Sequence, residues 1–410
     1  MVHYSKIYTF SAQRITERML TKLANKFRRI TSNQIYLAEI DGLRFLAITA
    51  VTLFHIYGFF LKKTQVKFLD SPKDYSILDR FLLNADRGVP LFFVISGFIL
   101  CLPFANHVIK NGKKIELKQY YLRRVTRLEP PYFIVMIGLF FTNLILRTNT
   151  VDTLLPSLLA SLIYSHNLIF QHVPLLTVVA WSLEVEIQFY VLAPFLFKIL
   201  FLPATYVRLI LISLIVLFVT LQHLYPPSFP SLYGSVQFFL IGILISDFYV
   251  RGFAIAALQN KWMIPITFIL FLLIFLMPLL EETNYWGRLA QSLLFPFIIG
   301  FFCYSIFINN KLKKIFSYKF IPVIGGMCYT IYLVHYTVIS MVGRFSINIS
   351  FTDYFLPNFL LQVVLLVIPV LLLSGIFYLY VERPFMSKKW VDKLMGRKPK
   401  EEKAITTTTV

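Results

Sequence analysis

Hydrophobic residues along this chain fall in long blocks, with the polar residues between the blocks rather than alternating inside them. Apolar runs of spanning length lie at 43–61, 88–105, 131–146, 186–202, 208–224, 233–250, 262–280, 289–308, 325–343 and 359–381. A hydrocarbon layer about 30 Å thick takes ~20 apolar residues as a helix, since there the backbone must satisfy its own hydrogen bonds. Each block therefore predicts a transmembrane α-helix. The expected fold is an all-α polytopic membrane protein, with about ten helices in one bundle. The stretch 154–170 is apolar too, but Pro156, Ser157, Ser161, Ser165, His166 and Asn167 interrupt it. It is expected to be re-entrant or interfacial, not an eleventh span.

Composition removes the competing classes. Of 410 residues, 57% are hydrophobic and 15% charged, with a mean hydropathy of +0.70; a soluble domain carries about 25% charged residues. A soluble enzyme, a disordered chain and a fibrous repeat are excluded. The net charge of +20 would suit nucleic-acid binding if it were clustered on one surface. Instead most of the Lys and Arg lie in the amino-terminal tail, 106–130, 309–320 and 382–410, segments that ten spans place on one side. That is the positive-inside pattern, which puts both termini in the cytoplasm, with a plasma (bacterial inner) membrane as the expected location and no nucleic-acid partner. Residues 1–40 then form a basic amphipathic tail, 41–383 the membrane domain, and 384–410 a basic, disordered tail. The tail lacks the apolar core of a cleavable signal. Cys101, Cys303 and Cys328 lie in or beside apolar blocks and read as packing residues rather than a disulfide framework.

Ionisable groups inside spans are costly unless they face a cavity or a partner, so they carry the functional information. Arg44 and His55 share the first span, about 16 Å apart along its axis and on nearly the same face. The residues alone leave two readings: a lined channel, or a snorkelling arginine with a core histidine. In YYLRRVTRLEPPYF, Arg124 and Arg127 share a face and can grip phosphate oxygens through planar forks, although positive-inside topology also explains basic residues there. In VVAWSLEVEIQFYVLAPF, a carboxylate at the head of a span can orient an imidazole that takes a proton from a hydroxyl. Glu186 is given that part, and Glu184 is read as solvated at the rim. Gly88 and Gly97 allow close helix approach, with Ser96 as interhelical glue rather than nucleophile. His335 lies mid-span, and its residues do not say whether it serves catalysis or packing.

These stretches, in this order and at these separations, resemble the membrane acyltransferases of acyltransferase family 3, over about residues 38–386. The family's basic residue, ten intervening residues and histidine match Arg44 and His55, and its Arg-x-x-Arg matches Arg124 and Arg127. Its Trp-Ser-Leu-x-x-Glu with a following Phe-Tyr matches Trp181, Ser182, Leu183, Glu186, Phe189 and Tyr190. Family members often carry an acidic residue after that glutamate; Ile187 stands here, so only Glu186 is carried over. The resemblance implies transfer of an acyl group, commonly acetyl, to sugar hydroxyls of surface or secreted glycans. No hydrolase-like domain follows the last span, as it does in fused members, so the membrane domain is expected to complete the transfer alone or with a separate partner.

The residues and the resemblance converge on one expected mechanism. Acyl-CoA, a donor substrate and not a resident cofactor, binds from the cytoplasm with its phosphates on Arg124, Arg127 and Arg44. The 16 Å rise to His55 is on the scale of the pantetheine arm (about 1.5 Å per residue). His55, as general base or transient acyl carrier, serves a glycan hydroxyl from the outer side, with Glu186 orienting its ring. Trp181, Ser182, Tyr190 and His335 are further candidates for substrate contact or support. No metal site is expected, because no His/Cys/Asp cluster has ligand spacing. The rival is a transporter of lipid-linked sugars, whose path would use the same polar groups without chemistry; it is disfavoured because no inverted repeat relates the two halves of the chain.

Overall fold

The computed structural model describes residues 36–63, 76–278, 283–352 and 354–386, together with Lys26, Phe27, Arg29, Trp390 and Gly396. The amphipathic tail and the carboxy-terminal tail expected from the sequence lie mostly outside these residues. Among the described residues the chain is helical with no strand. Helices α1 (Ala38–Lys63), α2 (Gly88–Lys110) and α3 (Leu117–Ile145) are followed by two short ones, α4 (Val151–Leu162) and α5 (His166–Phe170). Next come α6 (Ala180–Leu196), α7 (Ala204–Leu224), α8 (Leu232–Arg251), α9 (Met263–Leu276) and α10 (Tyr285–Ile308). After α11 (Ile321–Gly326) and α12 (Cys328–Ser346), α13 (Phe355–Phe377) runs through a π-helical turn, Tyr378–Glu382, into Arg383–Phe385.

Every predicted span coincides with a helix. Among the described residues, seven helices are long and apolar enough to cross a membrane: α1, α2, α3, α7, α8, α10 and α13. The other three blocks hold α6 with 17 residues, α9 with 14, and α12, whose 19 residues include His335 and Arg344. The segment 154–170 is divided between α4 and α5, and neither is long enough to span.

The bundle is organised around the contact of α2 with α8, where glycines let the two backbones meet. A Cβ on Gly97 would stand 2.4 Å from the Phe239 carbonyl oxygen, and one on Gly242 would stand 2.4 Å from that of Val94. Only glycine fits at either place. Beside this contact the rings of Phe93, Phe239 and Phe189 stack at 4.7 and 4.0 Å, clamping α6 against α2. Burial falls from the centre outward: 72% of the spanning window is buried in α8 and 22% in α3. On α3, Ile134, Ile137, Phe141 and Ile145 make an exposed apolar stripe at helical spacing, a face suited to lipid. At the other side of α1, α11 lies so close that a Cβ on Gly325 would stand 1.7 Å from the Asp41 carbonyl oxygen. This packing holds the start of α1, with Asp41 and Arg44, against the chain that leads into α12.

Candidate active site

The centre of the bundle brings together two histidines from distant parts of the chain. Nδ1 of His55, on α1, lies 3.1 Å from Nε2 of His335, on α12, with ring centroids 5.0 Å apart. His335 is fully buried, and its Nδ1 lies 3.0 Å from the Ile331 carbonyl oxygen and 2.9 Å from that of Tyr332. Carbonyl oxygens only accept, so Nδ1 of neutral His335 carries the proton and Nε2 keeps its lone pair. The lone pair in turn takes the Nδ1–H of His55, which also points at the Val51 carbonyl oxygen 3.0 Å away. The tautomer of His55 is thereby assigned: its proton is on Nδ1, and the lone pair of Nε2 is free. Nε2 has no hydrogen-bond partner among the described residues, and the ring is half-buried between Phe54 and Tyr336. Such a group can accept a proton or attack an acyl carbon.

Glu186 does not orient His55, as the sequence reading expected. Its Oε1 instead accepts from the hydroxyls of Ser96, on α2, and Tyr190, one turn further along α6. Ser96 is thus interhelical glue, as its type and setting suggested. The carboxylate sits two turns into α6 rather than at its start, because the helix begins at Ala180. Arg124 and Arg127 both act on it electrostatically.

Arg124 is held by its own neighbours. One terminal nitrogen, Nη1, donates to the Tyr120 carbonyl at 2.9 Å, and the guanidinium lies 3.7 Å from the centre of the Tyr120 ring and 5.7 Å from that of Tyr190. Arg44 donates through Nη1 to Asp41 at 2.7 Å, and Arg29 reaches the same oxygen at 3.4 Å. The Arg127 side chain makes no hydrogen bond among the described residues, and its Nε is buried. Its electrostatic partners are Arg29 and Glu382. Arg44 and the Asp41 carboxylate that Arg29 also reaches lie at the α1 start, about three helical turns from His55 on the same helix.

The remaining candidates connect α6 to the histidines. The Ser182 and Tyr332 hydroxyls lie 2.6 Å apart, and the Tyr332 ring is 5.7 Å from that of His335. Trp181 packs edge-on against Phe93 at 6.3 Å. Glu184 corrects the sequence reading outright. It is fully buried, and its Oε2 accepts the Asn167 backbone N–H at 2.9 Å. The reason is tertiary: α5 folds over the start of α6, with the Asn167 amide also donating to the Trp181 carbonyl at 3.3 Å.

Sequence reasoning gave no role to Asp41 or Arg29, singled out VERPF around Glu382 without assigning Arg383 a part, and left His335 without a partner. Asp41 and Arg383 carried a signal, since each is an ionisable residue beside an apolar run; Arg29 carried none beyond the general charge of the tail.

Residues 37–379 match the family described as an acyltransferase domain. The chain is 25% identical over 393 residues to the peptidoglycan O-acetyltransferase OatA of Listeria monocytogenes, covering 89% of this chain and 58% of that protein. It is 24% identical over 403 residues to the O-acetyltransferase OatA of Staphylococcus aureus, covering 92% and 61%. A putative O-acetyltransferase of Staphylococcus aureus is 22% identical over 405 residues, covering 89% and 59%. The chain thus spans about three fifths of the length of these relatives. No solved structure matches it.

Proposed function

The chain belongs to acyltransferase family 3, and on that premise we propose that it transfers an acyl group, acetyl in the first instance, from acyl-CoA to a hydroxyl of a surface glycan. The observation that carries the reading is the hydrogen-bond chain from the Ile331 and Tyr332 carbonyls through His335 to His55. It leaves a lone pair on Nε2 of His55 in the middle of a membrane helix.

The donor enters from the cytoplasmic side with its phosphates at the basic end of the bundle, and its pantetheine arm covers the ~16 Å rise to His55. The acceptor hydroxyl comes from the outer side. Its oxygen attacks the thioester carbonyl while its proton passes to Nε2 of His55; the C–O bond forms and the C–S bond breaks. The proton then goes to the departing thiolate, leaving free CoA and a glycan ester. During the step His55 is an imidazolium whose Nδ1–H stays bonded to His335, so the second histidine orients the first and supports its charge. Glu186 balances Arg124 and Arg127 and anchors the hydroxyls of Ser96 and Tyr190 along the donor's route.

A translocation path for lipid-linked sugars would use polar groups within the membrane, yet it has no need of a base whose tautomer is fixed. The relatives' names as O-acetyltransferases favour acyl chemistry as well. The test is mass spectrometry of surface polysaccharide from cells with and without the gene. Ester-linked acyl groups should disappear with the gene and return with the parent chain; an unchanged acyl content would overturn the reading.

A further inference from the structure

The π-helical turn at the end of α13 leads into a buried carboxylate, Glu382, and a further arginine, Arg383. Glu382 is fully buried. Its Oε2 accepts from the Thr330 hydroxyl, and its Oε1 is buried with no hydrogen-bond partner among the described residues. Arg383 follows it directly, with a buried, unpartnered Nε of its own. Tyr378, at the head of the turn, is fully buried and feels the charges of Glu382, Arg127, Arg29 and Arg383 together. A straight continuation of α13 would carry these residues around the helix at a different pitch; a π turn re-aims them, and such turns concentrate at functional positions.

The five arginines of this region differ in what they already hold. Arg44 is tied to Asp41 at 2.7 Å, and Arg124 to the Tyr120 carbonyl and ring. The side chains of Arg127 and Arg383 make no hydrogen bond among the described residues, and that of Arg29 is only loosely joined to Asp41 at 3.4 Å. A guanidinium offers five donors and cannot shed its charge, so leaving it half-buried and unbonded is unfavourable until an anion arrives. Glu382 offsets part of the charge of Arg127 and Arg29, yet it does not bond to either.

We propose that Arg127, Arg383 and Arg29 form the seat for the nucleotide phosphates of the donor, while Arg44 and Arg124 position the site without reading phosphate. The inference rests on the acyl-CoA reading above and redistributes its arginines. Glu382 is the internal counter-charge of the seat, and the donor's phosphates take over that role on binding. The ligand class is a thioester carrying a phosphorylated nucleotide; a bare acyl-pantetheine lacks the part that the seat recognises.

Equilibrium binding of radiolabelled acetyl-CoA and of acetyl-pantetheine to the purified full-length chain in detergent tests this. Arg127→Gln and Arg383→Gln should each weaken acetyl-CoA roughly 10-fold to 100-fold, the cost of one or two charge-assisted hydrogen bonds. Acetyl-pantetheine should bind both variants as it binds the parent. Glu382→Gln keeps an oxygen for Thr330 but removes the competing charge, so it should tighten acetyl-CoA several-fold and also shows that the region still folds. Equal weakening of both donors, or parent-like acetyl-CoA binding by Arg383→Gln and Arg127→Gln, would overturn the seat while leaving the donor reading in place. A parent chain that binds no acetyl-CoA would instead overturn the donor reading, and the seat with it.

Discussion

Nε2 of His335 lies 3.1 Å from Nδ1 of His55, a contact that joins α12 to α1 across 280 residues of sequence. One ring is fully buried with its other nitrogen on two backbone carbonyls, and the second ring is half-buried with a nitrogen to spare. The relationship has a direction. Backbone geometry fixes His335, His335 fixes His55, and His55 is the member left to meet a substrate.

His335 should therefore affect turnover and not donor binding. His335→Ala removes the acceptor of the His55 Nδ1–H and is expected to lower kcat about 100-fold, within the range of general-base contributions, with the KM for acyl-CoA unchanged. His335→Gln can offer an amide oxygen in its place and should recover part of the loss. Steady-state kinetics of the two variants decide it; equal losses would mean that His335 only fills space.

The carboxylate of Glu186 is a structural counter-charge. Glu186→Leu leaves the Ser96 and Tyr190 hydroxyls without their acceptor and removes the negative charge that acts on Arg124 and Arg127, and should cost ~1–3 kcal/mol of stability. Glu186→Gln keeps an oxygen for Ser96 and Tyr190 and should cost clearly less. Thermal unfolding in detergent separates the two, and a leucine variant as stable as the glutamine variant would contradict the assignment.

The glycine contact between α2 and α8 gives a comparison with an internal control. Gly97→Ala puts a methyl 2.4 Å from a backbone oxygen, so it should destabilise by at least ~1–3 kcal/mol and reduce activity by displacing the adjacent Ser96. Gly138, in α3, has nothing within 4 Å of an added Cβ. There the same change should be neutral, or stabilising by about 0.5–1 kcal/mol, because alanine is the better helix former. Unfolding midpoints of the two variants check the pair.

Much of this was readable from the chain, and what was not has a common cause. The ten apolar blocks coincide with helices because membrane helices are specified locally, by a length of apolar residues. Ser96 could be read as glue because a small hydroxyl beside Gly97 has few other uses inside a span. By contrast, the partner of His55 could not be read, since nothing in the spacing of α1 indicates which residue of α12 it meets. Glu184 misled for the same reason: its burial is created by α5 folding over α6, and the bond from the Asn167 N–H that makes burial tolerable comes from a segment that reads as interfacial. Arg29 was hidden in a tail whose charge looked generic. What sequence conveys here is the type of each span; which polar residues converge depends on packing between helices.

The proposed sidedness rests on the distribution of basic residues and can be checked directly. Lys118→Cys, at the start of α3, should react with a membrane-impermeant thiol reagent only after permeabilisation. Trp286→Cys, at a position 73% exposed near the start of α10, should react without it. Labelling of both from the same side would contradict the opposed entrances for donor and acceptor.

If Nε2 of His55 performs the transfer, His55→Ala should abolish it. The variant should be compared with the parent at matched membrane levels, with ester-linked acetate on surface polysaccharide measured by mass spectrometry. Ester-linked acetate should fall about 10²–10⁴-fold, to the level of cells without the gene, while insertion and acetyl-CoA binding stay normal. Acetate near the parent level in an inserted, donor-binding His55→Ala protein would contradict it.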